Sequence, residues 1–331
     1  MWWKFLLAVV LIAAILVGSV FYIVSSPVHL SQPVRLVVRK GETTGQVASR
    51  LDSLGLLRSR RVFVFWAKRQ EIDRQLKPGR YEFNGAIAMG NVLASLRAGP
   101  PPIKVTVPEG WTLQKIAPRL SRELGVDSAE FIALAHDSSI LNRWGVPSDR
   151  LEGYLLPETY EFYWGEATAE VIERMAQNSR AIFADSLERR MRSMNLSRHA
   201  ILTLASMIEA ETADSAERPH IASVFYNRLR LGMPMQCDPT VVYAMGGLTN
   251  GRPLLSGDLE FVSPYNTYQN PGLPPGPICN PGRASILAAL YPDSTSDLYF
   301  VADGMGRHIF SRTLDEHNTA RQRVRRMLNS P

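Results

Sequence analysis

Cysteine is nearly missing from this chain: its 331 residues include two, Cys237 and Cys279. Two cysteines make no disulfide framework, and neither sits in a CxxC or zinc-finger spacing. The histidines, His29, His136, His199, His220, His308 and His317, form no HExxH pattern, so no metal site is expected. GxSxG, P-loop and GxGxxG fingerprints are also absent. These gaps speak against a zinc peptidase, a serine hydrolase and a dinucleotide enzyme, and no cofactor is expected.

The most telling gap is in charge. Residues 5–24, FLLAVVLIAAILVGSVFYIV, carry no charged side chain. About 20 apolar residues at about 1.5 Å rise each cross a hydrocarbon core. Lys4 and the amino terminus precede the run, whereas the next cations, Arg35, Arg39 and Lys40, come well after it. Short basic heads stay on the cytoplasmic side. Trp2, Trp3 and Tyr22 suit the two interfaces. The rival is a cleaved signal peptide, whose apolar core is about 7–15 residues long. Here the run is longer, and Val17-Gly18-Ser19 lies within it. The expectation is a single-pass membrane protein: residues 1–4 cytoplasmic, 5–24 a transmembrane helix, 25–33 a linker, and the remainder outside the cytoplasm.

What remains has the composition of folded protein, 45% hydrophobic and 21% charged over the whole chain. About 300 residues are enough for two domains. The net charge of +6 has several readings: an anionic membrane surface, an anionic polymer or a solvated exterior. Outside the cytoplasm nucleic acid is not the expected partner.

A degenerate repeat follows the linker. LVVRKGET at 36–43 precedes VASRL at 47–51, and VTVPEGWT at 105–112 precedes IAPRL at 116–120. Both read as a short strand, a glycine turn and a helix, with Thr43 and Thr112 as N-caps. LKPGRYEF at 76–83 reads as a turn into a strand, and 91–97 as a short helix ended by Gly99 and three prolines. Strand–helix–helix–strand order over about 34–98 resembles the LysM module, a small glycan-binding fold. A plain α+β spacer explains the same pattern.

From about Asp127 the chain reads as mainly helical. Residues 167–195 place Val171, Met175, Ile182, Phe183 and Leu187 on one helical face. Further helices are expected over 197–211, capped by Ser197, over 218–231, and over 313–328. Gly, Pro, Asn and Tyr crowd 245–282, which reads as ordered loops around a cleft. Two short strands, 298–302 and 308–310, flank the turn Asp303-Gly304-Met305-Gly306. The fold class is α+β: a transmembrane helix, a LysM-like α+β region at 34–125, and a mainly helical domain with small β elements at 126–331.

Glu209 is the sharpest candidate for chemistry. It ends a helix lined by Ile201, Leu202, Leu204, Ala205, Met207 and Ile208. Partial desolvation there raises a carboxyl's proton affinity, as a general acid requires. Glu211, two residues on, points about 200° away at about 100° per residue, so the two are not a same-face pair. Both carboxylates on a solvated helix end is the plainer alternative. The aromatic and polar runs 151–160, 265–268 and 272–278 suit sugar stacking or simply shape turns.

Taken together, EGYLLPETY at 152–160, ASMIEAET at 205–212, ASVFYNRL at 222–229, QCDPTVVY at 236–243, YNTY at 265–268, GLPPGPICNPG at 272–282 and YFVADGMGRHIFSRT at 299–313 closely resemble the endolytic murein transglycosylases, the YceG-like family. The motifs stand in the same order from the anchor almost to the C-terminus. The resemblance implies cleavage of nascent peptidoglycan strands between N-acetylmuramic acid and N-acetylglucosamine at the inner membrane, with 1,6-anhydromuramyl ends and termination of strand growth. It implies no cofactor, peptidoglycan glycan as substrate and peptidoglycan synthases as neighbours. The family's essential glutamate matches Glu209. The implied cleft residues are Glu152, Tyr154, Glu158, Ser206, Asn227, Gln236, Asp238, Tyr265, Asn266 and Tyr268. This chain departs from the family at Ala210, where lysine is commoner, and at Cys237, where threonine is commoner. Pairing of Cys237 with Cys279 in an oxidising compartment is left open. The reading from another class is a non-catalytic, membrane-anchored glycan-binding scaffold, in which Glu209 carries no chemistry.

Overall fold

The computed structural model describes residues 2–39, 41–184, 186–247 and 252–328. Lys40, in the flank and in the first strand–turn motif, lies outside the described residues, as do 248–251 of the loop region. The chain divides into two compact units. The first comprises Met1–Lys104, Glu123–Gly125 and Glu161–Glu166, and the second Val105–Arg122, Val126–Tyr160 and Ala167–Pro331. Residues 105–122, which the sequence groups with the first region through the repeat, belong to the second unit.

The first unit opens with α1 (Trp2–Ser25), an apolar helix with no buried residue. Its length and mean hydropathy of 2.9 suit a membrane span. After β1 (Val28–His29) comes β2 (Val34–Val38), then α2 (Thr44–Ser53), α3 (Arg60–Arg69) and the single turn α4 (Ile72–Gln75). β3 (Gly79–Phe83) returns antiparallel to β2, with Leu36 opposite Tyr81. β4 (Ala86–Ile87) pairs with β1, and α5 (Met89–Ala98) follows. Thr43 caps α2 as expected, in a capping box with Gln46. Leu36, Val47, Leu51, Phe63, Ile72, Tyr81, Val92 and Leu96 form the core, and Ile23 and Val24 from the foot of α1 pack on it. A cavity of about 410 Å³ within this unit is lined by Val37, Val38, Arg39, Pro78, Trp164 and Gly165.

β5 (Ile103–Thr106) leads on to α6 (Leu113–Leu124), α7 (Ser128–Ala135) and α8 (Ser138–Trp144), and β6 (Thr159–Phe162) pairs with β5. Asp127 and Asp137 cap α7 and α8 through their carboxylates. The expected long helix over 167–195 is two helices, α9 (Thr168–Ile182) and α10 (Ser186–Ser193). The apolar spacing continues across the break because Leu187 and Met191 still face the core. Periodicity alone therefore does not reveal the interruption.

The second unit centres on α11 (Arg198–Glu211), capped by Ser197, whose side chain accepts from Ala200 N. Every residue from Ile201 to Ile208 is buried. α12 (Arg218–Arg230), α13 (Asp238–Ala244) and α14 (Arg283–Leu290) pack against it. One face of a helix cannot bury eight consecutive residues, so α11 needs neighbours all round. Between α13 and α14 the described chain is irregular apart from a 3₁₀ turn, Ser256–Glu260. β7 (Tyr299–Ala302) and β8 (His308–Ser311) form a hairpin, and α15 (Leu314–Leu328) packs on it. The hairpin turn is held by Asp303, whose Oδ1 accepts from Met305 N and Arg307 N.

Candidate active site

Three side chains of α11 face the loop that leads into α14. His199, Ser206 and Glu209 are spaced by seven and three residues, which places them along one side of the helix. The loop meets them in the same order. His199 Nε2 lies 2.7 Å from Pro275 O. Ser206 Oγ accepts from Ile278 N at 3.0 Å, and Ser206 O accepts from the Cys279 thiol. Glu209 Oε2 accepts from Gly282 N at 2.9 Å. Gly153 lets the 151–155 segment approach this loop closely. Its φ is +83°, and a Cβ there would lie 2.3 Å from Pro277.

The Glu209 side chain is 6% exposed, and so is its partner Arg218, whose Nη2 donates to Oε1 at 2.8 Å. The other terminal nitrogen, Nη1, lies 3.5 Å from Glu109 Oε2. Gly110 brings the turn before α6 against Glu209, with a built Cβ at 3.6 Å from its Cγ. Burial raises the Glu209 carboxyl above the ordinary carboxylate range. The Gly282 N–H, Arg218 and Ser285 pull it back down, and the charge of Glu109 adds to the rise. Ser285 Oγ is buried and makes no hydrogen bond of normal length among the described residues, so it acts on Glu209 as a nearby dipole.

Glu211 meets a different set of groups. Burial pushes its carboxyl up to about 7, and the groups acting on it are Cys237, Asp238, His308 and Arg228. The groups named for Glu209 are instead Gly282, Arg218, Ser285 and Glu109. Cys237 and Cys279 are free, buried thiols, both with strongly raised proton affinity from burial.

The other sequence-selected residues fall into two groups. Glu152, Tyr154, Ser206, Asn227 and Asn266 are buried, with their polar atoms engaged inside the unit. Glu152 caps α6 through Leu113 N and accepts from Asn280 Nδ2 at 2.9 Å. Asn280 Oδ1 in turn accepts from Gly153 N and Leu155 N, and its Nδ2 donates to Trp111 O. Tyr154 Oη lies 2.9 Å from His199 Nδ1. Asn227 donates to Thr295 O and Asp297 O, and Asn266 to Leu259 O and Phe261 O. These side chains tie the segments around α11 to one another. Glu158, Gln236 and Asp238 are exposed, and Tyr265 and Tyr268 are partly so. Glu158 accepts from Asn178 Nδ2, and Tyr268 Oη donates to Asp238 Oδ1 at 2.5 Å. Gln236 holds a left-handed φ of +50°, a strained conformation for a side-chain-bearing residue.

Glu109, Arg218, Gly282 and Ser285 were not singled out from sequence. Glu109 is hidden in the repeat, where it reads as a turn residue. Arg218 left a readable signal. It opens α12, where the positive end of the helix dipole disfavours a cation unless an acid pairs with it. Among the described residues no group of three or more His, Cys, Asp or Glu is placed to hold a metal ion.

A side chain almost wholly buried, with raised proton affinity and oriented by an arginine and a backbone N–H, gives Glu209 the electrostatic setting that a general acid–base group requires. A family profile described as the YceG-like family matches residues 36–323, and the chain belongs to that family. It is 35% identical over 307 residues to a Bacillus subtilis protein named endolytic murein transglycosylase, covering 88% of this chain and 84% of that one. A protein of the same name from Streptococcus pneumoniae is 28% identical, and the match covers 86% of this chain but 57% of that longer relative. Among solved structures, the crystal structure of a yceG-like protein from Listeria monocytogenes matches with a TM-score of 0.63 and 32% identity. That match covers 88% of this chain and 99% of the other.

Proposed function

We propose that this chain is an endolytic peptidoglycan lytic transglycosylase and that Glu209 is its acid and base. The observation that carries the reading is the Glu209 carboxyl, 6% exposed and held by Arg218 and Gly282 N. The names of the Bacillus and Streptococcus relatives agree with it. Protonated Glu209 gives its proton to the glycosidic oxygen as the bond from muramic C1 breaks. The substrate's 2-acetamido group stabilises the cationic centre, so no second protein nucleophile is needed. Anionic Glu209, steadied by Arg218 and the Gly282 N–H, then takes the proton of the muramyl C6 hydroxyl. O6 closes on C1, leaving a 1,6-anhydro end and terminating the strand.

The accessible residues Glu158, Gln236, Asp238, Tyr265 and Tyr268 are the ones available for sugar contacts. Buried Glu152, Tyr154, Ser206, Asn227 and Asn266 serve by shaping the site. For the first unit we read a LysM-like glycan-contacting module. Its β2–α2–α3–β3 order and antiparallel pairing support this, as does the cavity lined by Arg39 and Trp164. With α1 as anchor and the short basic head inside, both units lie in the periplasm, next to peptidoglycan synthases that produce the strands.

Glu209→Gln tests the assignment, because the amide is nearly isosteric but cannot donate and recover a proton. Cleavage of uncrosslinked glycan strands should fall by about 10²–10⁴-fold with glycan binding kept. Mass spectrometry of wild-type digests should show internal fragments with 1,6-anhydromuramyl ends, one water lighter than hydrolytic ends. Reducing muramic ends would refute the lytic mechanism. Equal activity of the variant would move the acid elsewhere, with Glu211 and Glu152 tested next, whereas a wild type that binds strands without cleaving them would favour the non-catalytic scaffold.

A further inference from the structure

The groups facing Glu209 come from several elements: Arg218 from α12, Glu109 from the turn before α6, Gly282 and Ser285 at the start of α14, and Cys279 from the preceding loop. Glu109 is the unexpected member. Its side chain is 47% exposed, yet it lies 3.5 Å from a guanidinium that is 6% exposed and already bound to Glu209. Its carboxylate also rests on Gly282. A Cβ on that glycine would lie 1.9 Å from Glu109 Oε1 and 2.1 Å from its Cδ. Gly282 has a φ of −73°, which any residue adopts, so the missing side chain serves space rather than backbone freedom. The same residue donates its N–H to Glu209 Oε2. One glycine and one arginine thus position two carboxylates.

This pairing answers a chemical difficulty. A carboxyl 2.8 Å from a buried guanidinium is favoured as the anion. An acid locked in that form protonates nothing. We propose that Glu109 is a positioning residue of this site: by drawing on the same arginine, it leaves Glu209 free to hold a proton at rest and hand it to the leaving oxygen. Once Glu209 is anionic, Arg218 steadies it until the C6 hydroxyl returns the proton. The inference rests on the reading of Glu209 as the acid.

The test uses the full chain in detergent micelles with uncrosslinked glycan strands, following kcat/KM against pH for the wild type, Glu109→Gln, Glu109→Asp and Gly282→Ala. The alkaline limb of that profile reports the free enzyme's acid. In Glu109→Gln it should move to lower pH by on the order of one unit, about a tenfold loss on the alkaline side with the acid plateau nearly kept. Glu109→Asp should restore part of the limb. Gly282→Ala evicts the carboxylate without deleting it and should shift the limb the same way. Carboxyl ¹³C titration of Glu209, assigned by its loss in Glu209→Gln, should show a lower midpoint in Glu109→Gln. That readout needs no turnover, so it separates this inference from the proposed activity. An inactive wild type would sink the activity alone. An unmoved midpoint, or an equal loss at every pH, would overturn the role of Glu109.

Discussion

Two carboxyls of the second unit, Glu152 and Glu211, couple its stability to pH. Glu152 is 1% exposed, and burial pushes it up to about 8 against the pull of Leu113 N–H, Arg150 and Asn280. Glu211 is raised to about 7 by burial. Both are therefore neutral in the fold at mildly acidic pH and ionise more readily in the unfolded chain. Stabilisation from a raised carboxyl is full below the unfolded value, near 4.5, and is lost as pH rises through the folded one. Each group contributes roughly 1.4 kcal/mol per pH unit inside that window. Thermal denaturation followed from pH 5 to 9 should show Tm falling as pH rises, and Glu152→Gln should flatten the slope. A Tm that climbs over this range would contradict the raised values. The desolvation of Glu209 is legible at this scale, since the carboxyl ends an apolar helix, and its side chain is 6% exposed. Glu109 was not legible, because its partner, Arg218, is 109 positions away.

At the scale of elements, the site depends on the loop into α14 lying along α11. Ser206 is 0% exposed and sits at the middle of that seam, accepting from Ile278 N and donating to Thr203 O at 2.7 Å. Ser206→Ala leaves the Ile278 N–H buried without a partner, at a cost of about 1–3 kcal/mol. It also loosens the segment that carries Gly282 to Glu209. Urea unfolding should show that loss, and cleavage should fall in the same variant, while Ser206→Thr keeps the hydroxyl. Loss of stability with unchanged cleavage would mean that the seam does not position Gly282. The helices of this unit were largely readable: α11, α12 and α15 start and stop within a residue or so of their caps and glycine stops. The break between α9 and α10 was not, because the apolar period runs straight through it.

At the scale of the whole molecule, α1 is long and apolar enough to cross a membrane. It has 24 residues, none buried, and spans about 36 Å at about 1.5 Å per residue. In cells stripped of outer layers, protease added outside the inner membrane should digest the chain beyond about Ser25 and spare only the anchor. Protection of the second unit would reverse the orientation.

Residue order alone carries the long apolar N-terminal helix, the mixed and mostly helical class and the strand–turn–helix repeat, and it marks Glu209 as a carboxyl at the end of an apolar helix. These follow from local quantities: an uncharged run, a period, a cap, an apolar helix ending in an acid. Only the tertiary structure decided that 105–122 belong with the second unit, that Glu152 and Asn266 are buried, and that Arg218 joins Glu109 to Glu209. Burial and charge pairing are set by which distant segments are packed together, and residues separated by 109 positions carry no local mark of their contact.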